Sequence, residues 1–523
     1  MKTPSKLALS ALVAFSASAT ASWQDAGEGS QHCCQALADA GLGDRLILPD
    51  TADYEDRVDV HWSLAARLTP YCFVRPETAG EVAKVVNTLV EANKTSPCQF
   101  AIRSGGHTTW AGSANIEDGV TVDLGYMNST TYNAENKTAS VQPGARWKGV
   151  YSTLDALGIA AAGGRASTVG VAGLATGGGN SFYGAREGFV CDNVVRFEVV
   201  LASGEIVEAD RDNNVDLWQS LKGGSNNFGI VTRLDLATLE GIDLWGGVVT
   251  YSNDTTKQQI QAMYNFGEEA TNDRYASAIT IWQYSTTTDT NMVINAYDYT
   301  KPVARAPIFD EFLAIPGNTS DSLRFTNMTD LTIELEQAEG FRDSFFTLTF
   351  KNDIRVMEKA IELHHQYLER LKAADIKGNW TLQDMFQPVP TFFAEHGEEK
   401  GGNVLGLGRF TDNLQLWQTY LAWEDAAQDD MFHSWGMEYI AELDEFAKSV
   451  GADNSWIYLD YAYKTQDPLA SYGEENLQKL RDVSKKYDPE GVFQTMVPGG
   501  FKVSKAGKPE QTRGSKKMRK REL

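Results

Sequence analysis

Three features are scarce in this chain, and each scarcity excludes a class of protein. Only five cysteines occur among 523 residues, and none of them has the spacing of metal ligands, so we expect no metal site. Basic residues are outnumbered, with 47 Lys and Arg against 70 Asp and Glu, which gives a net charge of −23. Binding to nucleic acid needs a basic surface, and a membrane span needs a long apolar run that this sequence lacks. We therefore expect neither nucleic acid nor a membrane as a partner.

The N-terminus has the order of residues found in a secretory signal peptide. Lys2 and Lys6 come first, a short apolar run follows from Leu7 to Phe15, and small residues lead to Ala21. This order predicts a signal peptide over residues 1–21. The mature protein is therefore expected in the secretory pathway and outside the cell.

The cysteines and the glycosylation sequons fit that route. Four early cysteines can form two disulfides in an oxidising compartment, with three pairings open, whereas Cys191 is expected to be a buried free thiol. The four are Cys33, Cys34, Cys72 and Cys98. Seven N-x-S/T sequons favour a glycoprotein, and they lie at Asn93, Asn128, Asn136, Asn253, Asn318, Asn327 and Asn379.

The C-terminal residues 505–523 are polar and basic, which predicts a disordered tail. The tail ends in Lys520-Arg521-Glu522-Leu523, which is close to an ER-retention signal but lacks its acidic third-from-last residue. Retention in the ER is therefore the less favoured alternative to export.

The stretch Ala101–His107 combines a strand, a glycine turn and a histidine. An apolar strand is predicted to end at Ile102, and Ser104-Gly105-Gly106 follows it. Successive backbone N–H groups in such a turn form a concave site suited to a diphosphate. His107 stands directly after the turn, and its neutral imidazole would be a nucleophile as well as a base. Taken alone, this histidine is better explained as an ordinary loop residue, so its role depends on the rest of the chain.

Further glycine-rich stretches follow in order. Residues 168–180 hold many glycines and alanines but few charges, which suits a close approach of backbone to a ligand better than a flexible linker. Residues 222–229 form a glycine and asparagine turn that leads directly into a strand, and Tyr487-Asp488-Pro489 forms a compact turn near the end. Upstream, residues 70–103 predict a strand–helix–strand unit with Thr78 as the helix cap.

The second half of the chain has a different pattern. Alternating apolar residues predict an antiparallel sheet with strands at Ser277–Tyr284, Met292–Asp298 and Phe345–Phe350. Helices are expected near residues 256–270, 353–373 and 430–449. The fold class predicted for the whole chain is α+β.

Four motifs together carry a resemblance to a known family. They are Arg103-Ser104-Gly105-Gly106-His107, the run Thr168–Gly179, Lys222–Gly229 and Tyr487-Asp488-Pro489. The four motifs occur in the order that they have in one family. The chain resembles the berberine-bridge-enzyme-like branch of the vanillyl-alcohol-oxidase flavoproteins, and most of all its secreted fungal members. The resemblance extends from about Cys33 to Phe501. It implies a PCMH-type FAD-binding domain with two subdomains, followed by a substrate domain with an antiparallel sheet flanked by helices.

The resemblance implies a domain order for the whole chain. After the signal peptide, an N-terminal segment (22–65) precedes the FAD-binding domain (66–242) and the substrate domain (243–455). A C-terminal segment (456–504) then returns to the FAD-binding domain, before the basic tail. The protein is expected to be a monomer.

The resemblance also implies FAD as cofactor, bonded covalently to His107 through the flavin 8α-methyl group. Many relatives add a second bond from a cysteine in a G-x-C-x-x-V-G pattern, but Ala166 holds that position here. We therefore expect a mono-covalent flavoprotein. The other expected FAD contacts are Arg103, Ser104, Gly105, Gly106, Thr168, Val169, Gly170, Gly173, Gly179, Asn180 and Ile230.

In this family the chemistry is hydride transfer from a substrate C–H bond to the flavin. Val169 matches the position beside flavin C4a, where a small residue goes with access for O2, so we expect an oxidase that forms H2O2 rather than a dehydrogenase. In relatives that oxidise carbohydrates, a tyrosine in a Y-x-N-Y strand is the base. The matching stretch is Tyr458-Leu459-Asp460-Tyr461, so Tyr461, with Tyr458 beside it, is the candidate catalytic residue. Asp460 replaces the usual asparagine, and a carboxylate there would oppose ionisation of the tyrosine.

Several aromatic residues and a histidine pair are further candidates for the site. Five aromatic residues either line a substrate face or pack in the core as cross-strand pairs, namely Trp282, Tyr284, Tyr297, Tyr299 and Trp417. His364-His365 is expected on a solvated helix face. The substrate is expected to be a small molecule of a secondary-metabolite pathway, with an oligosaccharide oxidase, an oxidative cyclase and a low-turnover flavin-binding protein as alternatives.

Overall fold

The computed structural model describes residues 28–241 and 243–508 of the chain. The predicted signal peptide (1–21) and residues 509–523 of the predicted tail lie outside the described residues. Within the described part, helices and strands alternate in a mixed α+β arrangement with several sheets, as the sequence predicts. No helix among these residues combines the length and the apolar character needed to cross a bilayer.

The first sheet contains the strand that leads to His107. Its four strands lie in the order β1–β2–β4–β3, with β2 and β3 both parallel to β4. The strands are β1 (Leu46–Ile47), β2 (Cys72–Val74), β3 (Phe100–Arg103) and β4 (Val120–Asp123), and the helices around them are α1 (Glu28–Leu37), α2 (Tyr54–Asp59) and α3 (Ala79–Asn93). The predicted strand–helix–strand unit is therefore confirmed. The hydroxyl of Thr78 accepts the backbone N–H of Glu81 at 3.1 Å, which caps α3 as expected.

Two disulfides join these elements. Cys33 pairs with Cys98 and Cys34 pairs with Cys72, so α1 is bonded both to β2 and to the turn that follows α3. This selects one of the three pairings that the sequence left open. Cys191 is a buried free thiol, as expected.

A second, antiparallel sheet follows between residues 130 and 240. Five strands lie in the order β5–β6–β10–β8–β9, and β7 pairs separately with β11. The strands are β5 (Thr130–Asn133), β6 (Thr138–Val141), β7 (Ile159–Ala160), β8 (Val194–Val200), β9 (Ile206–Asp210), β10 (Ile230–Ala237) and β11 (Leu239–Glu240). The helices are α4 (Trp147–Asp155), α5 (Val171–Gly177), α6 (Gly184–Glu187) and α7 (Val215–Leu221). The glycine-rich run thus becomes a short helix and the turn behind it.

The third sheet has eight strands and is antiparallel, as the alternating pattern predicts. Its strands are β12 (Leu244–Ser252), β13 (Ala276–Ser285), β14 (Thr290–Tyr299), β15 (Asn318–Asp321), β16 (Arg324–Thr326), β17 (Arg342–Lys351), β18 (Trp380–Val389) and β19 (Leu414–Trp423). The three predicted helices are present as α8 (Thr256–Glu269), α11 (Ile354–Ala373) and α13 (Asp429–Ser449), and shorter ones are α9 (Asp310–Leu313), α10 (Met328–Glu334) and α12 (Phe392–Glu399).

The two faces of this sheet have different neighbours. One face packs under α8, α11 and α13, and all five aromatic residues considered for the substrate face lie in that core. The opposite face turns Ile279, Ile281 and Met385 toward the FAD-binding region. Side chains alternate between the faces of a strand, so the aromatic residues belong to the core and not to the substrate face.

His364 corrects the expectation of a solvated pair. Its side chain is fully buried, and its Nδ1 lies 3.0 Å from Oδ2 of Asp384 on β18. The hydroxyl of Tyr439 donates to the same carboxylate oxygen. The helical period explains the error, because His364 follows Ala360 by one turn and shares its sheet-facing side. The neighbouring His365 is half-buried.

The last described segment returns to the FAD-binding region. It contains α14 (Pro468–Ser471), α15 (Glu474–Tyr487) and α16 (Val492–Thr495). The hydroxyl of Tyr472 donates to the carbonyl of Gly223 at 3.1 Å, and the side-chain amide of Asn227 donates to the carbonyl of Phe501 at 2.8 Å. The third glycine motif is therefore held between its own strand and the C-terminal segment. None of the seven sequon asparagines is buried, and their glycosylation remains a prediction.

Candidate active site

The first two glycine motifs touch each other directly. Gly105 and Gly170 pack backbone to backbone, and a Cβ on either residue would overlap the main chain of the other. Gly106 has a φ of +67°, a conformation that side chains with a Cβ rarely adopt. The glycines are therefore required for close approach at this junction, more than for flexibility.

Arg146 holds the junction together from behind. Its guanidinium donates to the carbonyl of Gly105 at 2.8 Å, to the carbonyl of Thr168 and to the carbonyl of Val60 at 3.3 Å. One side chain thus joins the two motifs and the N-terminal segment. No local pattern signals this role, because a single arginine before a helix is not distinctive.

His107 lies at this junction and faces the cavity. Its Nε2 lies 3.3 Å from the hydroxyl of Thr168, and its ring stacks on Trp62 with centroids 4.5 Å apart and planes 8° from parallel. Burial, reinforced by the positive charge of Arg146, lowers the pKa of His107 to about 3. The imidazole is therefore neutral at neutral pH and keeps a free lone pair. Trp62 belongs to no recognisable motif, so the sequence offers no signal for its contact with His107.

A cavity of about 360 Å³ extends from this junction to the large sheet. One end is lined by backbone and small side chains of all three glycine motifs, and the other by the sheet and by residues 458–462. Gly173 borders it with open space where a Cβ would point, so the backbone of α5 is directly accessible. Backbone of glycine-rich turns can donate N–H groups to a diphosphate, and the apolar walls of the cavity suit a flat ring system, so we conclude that these residues fit FAD.

The predicted FAD contacts divide into two groups. Nine line the cavity, namely Ser104, Gly105, Gly106, His107, Val169, Gly170, Gly173, Asn180 and Ile230. The other three lie behind it. Arg103 forms a buried ion pair with Asp123, the hydroxyl of Thr168 contacts His107, and the N–H of Gly179 donates to Asp460 at 3.0 Å. These three support the wall of the site and do not line it.

The segment of the candidate base differs from the expected strand. Leu459–Tyr461 forms one turn of 3-10 helix, because no neighbouring strand pairs with it and its polar groups bond the glycine-rich run instead. The Tyr461 hydroxyl lies in the cavity region, accepts from the guanidinium of Arg165 at 2.7 Å and has the amide of Gln387 at 3.5 Å. The sequence analysis assigns no role to Arg165. The available signal is its place directly before Ala166, the position at which many relatives attach the flavin.

Tyr458 is buried and Asp460 is half-buried beside Tyr461. The Tyr458 hydroxyl accepts the backbone N–H of Asn180 at 2.6 Å, and the Asp460 carboxylate accepts the backbone N–H of Gly179 at 3.0 Å. Burial raises the pKa of Asp460 to about 7, against the opposing effect of its hydrogen bonds. Burial also raises the pKa of Tyr458 far above its ordinary value. Tyr458 therefore stays protonated, whereas Asp460 can exchange a proton near neutral pH.

The fold and the site define a flavin-dependent oxidoreductase, and comparisons with known proteins agree. Residues 70–210 match the family described as FAD binding domain. The chain is 42% identical to FAD-dependent monooxygenase sdcF from Emericella nidulans over 91% of this chain and 99% of that protein.

Two solved structures are similar in fold. BBE-like 1 from Physcomitrella patens has a TM-score of 0.70 at 20% identity, covering 88% of this chain and 97% of its own. Glucooligosaccharide oxidase from Acremonium strictum, described with 6-S-cysteinyl, 8α-N1-histidyl FAD, has a TM-score of 0.68 at 19% identity, covering 88% of this chain and 97% of its own. The chain belongs to the family of FAD-dependent oxidoreductases that includes the fungal FAD-dependent monooxygenases, and its fold is similar to that of berberine-bridge-enzyme-like proteins.

Proposed function

We propose that the protein is a secreted FAD-linked oxidase of a fungal secondary-metabolite pathway. It oxidises an alcohol or amine carbon of a small molecule and returns the electrons to O2 as H2O2. The flavin supplies the hydride acceptor when it is bound. The observation that carries the proposal is the position of His107, a neutral imidazole at the contact of two glycine motifs and at the edge of the cavity.

His107 is proposed as the single covalent anchor of the flavin. Its low pKa keeps a ring nitrogen unprotonated, which bond formation to carbon requires. The stack on Trp62 fixes the plane of the ring. Ala166 lines the same cavity where a second, cysteinyl bond would have to form, and alanine offers no nucleophile. This differs from the doubly bonded FAD described for the oxidase of Acremonium strictum.

The wall opposite the glycine motifs favours an apolar substrate over an oligosaccharide. Ile279, Ile281, Leu335 and Met385 form much of this wall, with Phe345 at its edge. The aromatic residues that would stack on sugar rings are buried on the other face of the sheet. Contact with aliphatic side chains removes apolar surface of a substrate from water, which favours binding. A largely apolar substrate with one hydroxyl or amine group therefore suits this wall.

Tyr461 is proposed as the base that takes the proton from the substrate hydroxyl. Its own hydroxyl lies at the cavity, at the end of the apolar wall, and it already accepts a hydrogen bond from a cation. Asp460 has the pKa for a proton exchanger near neutral pH, and it lines the same cavity as Tyr461.

Mass spectrometry of the digested protein tests the anchor. The expected result is a flavin adduct on the peptide that contains His107 and on no cysteine peptide. Flavin released intact by acid precipitation would refute the covalent link, and an adduct on Cys191 would refute the single anchor.

The names of the relatives support a second candidate, a monooxygenase that transfers an oxygen atom to its product. Turnover under isotopically labelled O2 separates the two candidates, since an oxidase releases the label as H2O2 and a monooxygenase retains it in the product. An oxidative cyclase would instead give an unlabelled product with a new ring. A low-turnover flavin-binding protein would hold yellow flavin that no substrate panel bleaches.

A further inference from the structure

Arg165 is a cation that lines the cavity without a carboxylate partner. It is half-buried, and one of its guanidinium nitrogens donates to the Tyr461 hydroxyl at 2.7 Å. Among the residues that the structure describes, no carboxylate oxygen lies within 4.0 Å of this guanidinium. Its charge is therefore directed at a phenol oxygen and not neutralised by an ion pair.

The buried acid Asp298, whose pKa Arg165 influences, does not form an ion pair with this guanidinium. Asp298 on β14 is fully buried, and neither of its carboxylate oxygens has a hydrogen-bond partner within the described chain. Burial raises the pKa of Asp298 well above its ordinary value, with Arg165 as a weaker opposing influence. Asp298 is thus held in its neutral form, and the guanidinium remains the dominant charge on this side of Tyr461.

The groups around Tyr461 come from four parts of the fold. Arg165 approaches from the loop before α5, and Asp460 with Tyr458 belongs to the same turn as Tyr461. Gln387 of β18 lies 3.5 Å away from the hydroxyl, and the ring of Phe345 on β17 packs edge-on. Gln387 and Phe345 are uncharged. The balance of charge at the hydroxyl is therefore between the cation of Arg165 and the titrating carboxyl of Asp460.

We propose that Arg165 is a positioning residue that stabilises negative charge on the Tyr461 oxygen and thereby makes this tyrosine able to act as a base. The inference rests on the proposed function, in which Tyr461 accepts the hydroxyl proton of the substrate. That proton passes to the Tyr461 oxygen, while the carbon-bound hydrogen leaves with two electrons for the flavin and a carbonyl remains. An opposite charge in direct contact offsets the effect of the neighbouring carboxylate at Asp460.

Ultraviolet titration of the holoenzyme tests this without a substrate. The increase of tyrosinate absorbance with pH is measured for the wild type and for Tyr461→Phe, and the difference between the curves isolates Tyr461 because both proteins carry the same flavin. The same pair is measured on an Arg165→Met background. Loss of the cation is expected to move the ionisation of Tyr461, seen as the step in this difference curve, upward by about one to two pH units.

Two further variants complete the test. Arg165→Lys keeps a positive charge and is expected to leave the ionisation of Tyr461 close to its wild-type pH. If Arg165→Met does not fold, Arg165→Gln takes its place, because glutamine also removes the charge. Arg211→Met removes an exposed arginine and is expected to leave the step unmoved. An isolated step at the same pH with and without Arg165 would overturn the proposal.

This outcome is separable from a failure of the proposed function. If the flavin adduct at His107 is absent, or if Tyr461→Phe keeps full activity, the proposed function fails while the titration still reports whether Arg165 acts on Tyr461. If the adduct is present but the step does not move, only the role of Arg165 is lost.

Discussion

At the scale of single residues, the site depends on side chains that the structure keeps in an unusual charge state. Burial and the nearby guanidinium of Arg146 lower the pKa of His107, and burial raises the pKa of Asp460 to about 7 against the opposing effect of its hydrogen bonds. Both shifts arise from desolvation, which penalises the charged form of either group. The residues were visible in the sequence, but their charge states depend on neighbours that are distant along the chain.

Removal of the anchor should release the cofactor. His107→Ala is expected to yield protein whose flavin is lost on acid precipitation and whose activity is nearly abolished, because Ala166, in the position of a second attachment point, offers no nucleophile. The measurement is flavin absorbance in the pellet and the supernatant. His365→Ala serves as a control, since His365 lies on α11 outside the cavity lining. A yellow, fully active His107→Ala protein would show that this histidine is incidental.

Asp460 gives a prediction for stability against pH. Its pKa rises from about 3.8 unfolded to about 7 folded, so between these values the unfolded chain holds fewer protons than the native one, and stability falls as pH rises. Asp460→Asn removes this penalty and retains an oxygen for the N–H of Gly179. The variant's Tm relative to wild type is therefore expected to increase from pH 4 to pH 7 and to level off above.

Calorimetry at several pH values measures this difference. A Tm difference that stays constant over that range, or that falls, would contradict the raised pKa of Asp460.

At the scale of elements, the contact between two glycine turns decides whether the site forms. Gly170→Ala is expected to prevent the contact with Gly105, because its Cβ would overlap the backbone there, and to lower both stability and flavin content. Gly149→Ala is the matched control on α4, where a Cβ meets nothing within 4 Å and alanine favours the helix by about 1 kcal/mol. Thermal unfolding and the ratio of flavin to protein absorbance measure both effects. Equal behaviour of the two variants would contradict the close contact.

Many of the helices, strands and motifs could be predicted from the sequence, and the predictions that were wrong have physical causes. The glycine motifs, the disulfide-forming cysteines, the antiparallel sheet and α8, α11 and α13 follow from local patterns that the structure confirms. The sequence predicts a strand over Leu459–Tyr461, but the segment forms a 3-10 turn in which the Asp460 side chain accepts a backbone N–H group of the glycine run. His364 was expected in solvent, since charged neighbours on α11 concealed which side of the helix faces the sheet. Trp62 and Arg146 act only through contacts across the fold, and such contacts leave no local pattern.

At the scale of the whole molecule, the disulfides fasten the N-terminal segment to the domain that holds the cofactor. Cys33 and Cys98 are separated by 65 residues, and a cross-link closing a loop of that length stabilises by about 4 kcal/mol in the chain-entropy account. The double variant Cys33→Ser with Cys98→Ser is expected to unfold at clearly lower urea concentration. Cys191→Ala, which removes a free thiol, is the comparison. Equal midpoints for the double variant and the wild type would contradict a stabilising role for this bond.

The return of the C-terminal segment has a consequence for the order of events during biosynthesis. Asn226 and Asn227, in the third glycine motif, are bonded to the carbonyls of Gly499 and Phe501, and Gly500 and Phe501 line the cavity itself. A nascent chain that has passed the FAD-binding domain and the large sheet therefore still lacks one wall of its cofactor site. Enclosure of the flavin must wait for nearly the last described residues to be translated, so maturation of the holoenzyme is a post-translational event in whichever compartment receives the finished chain.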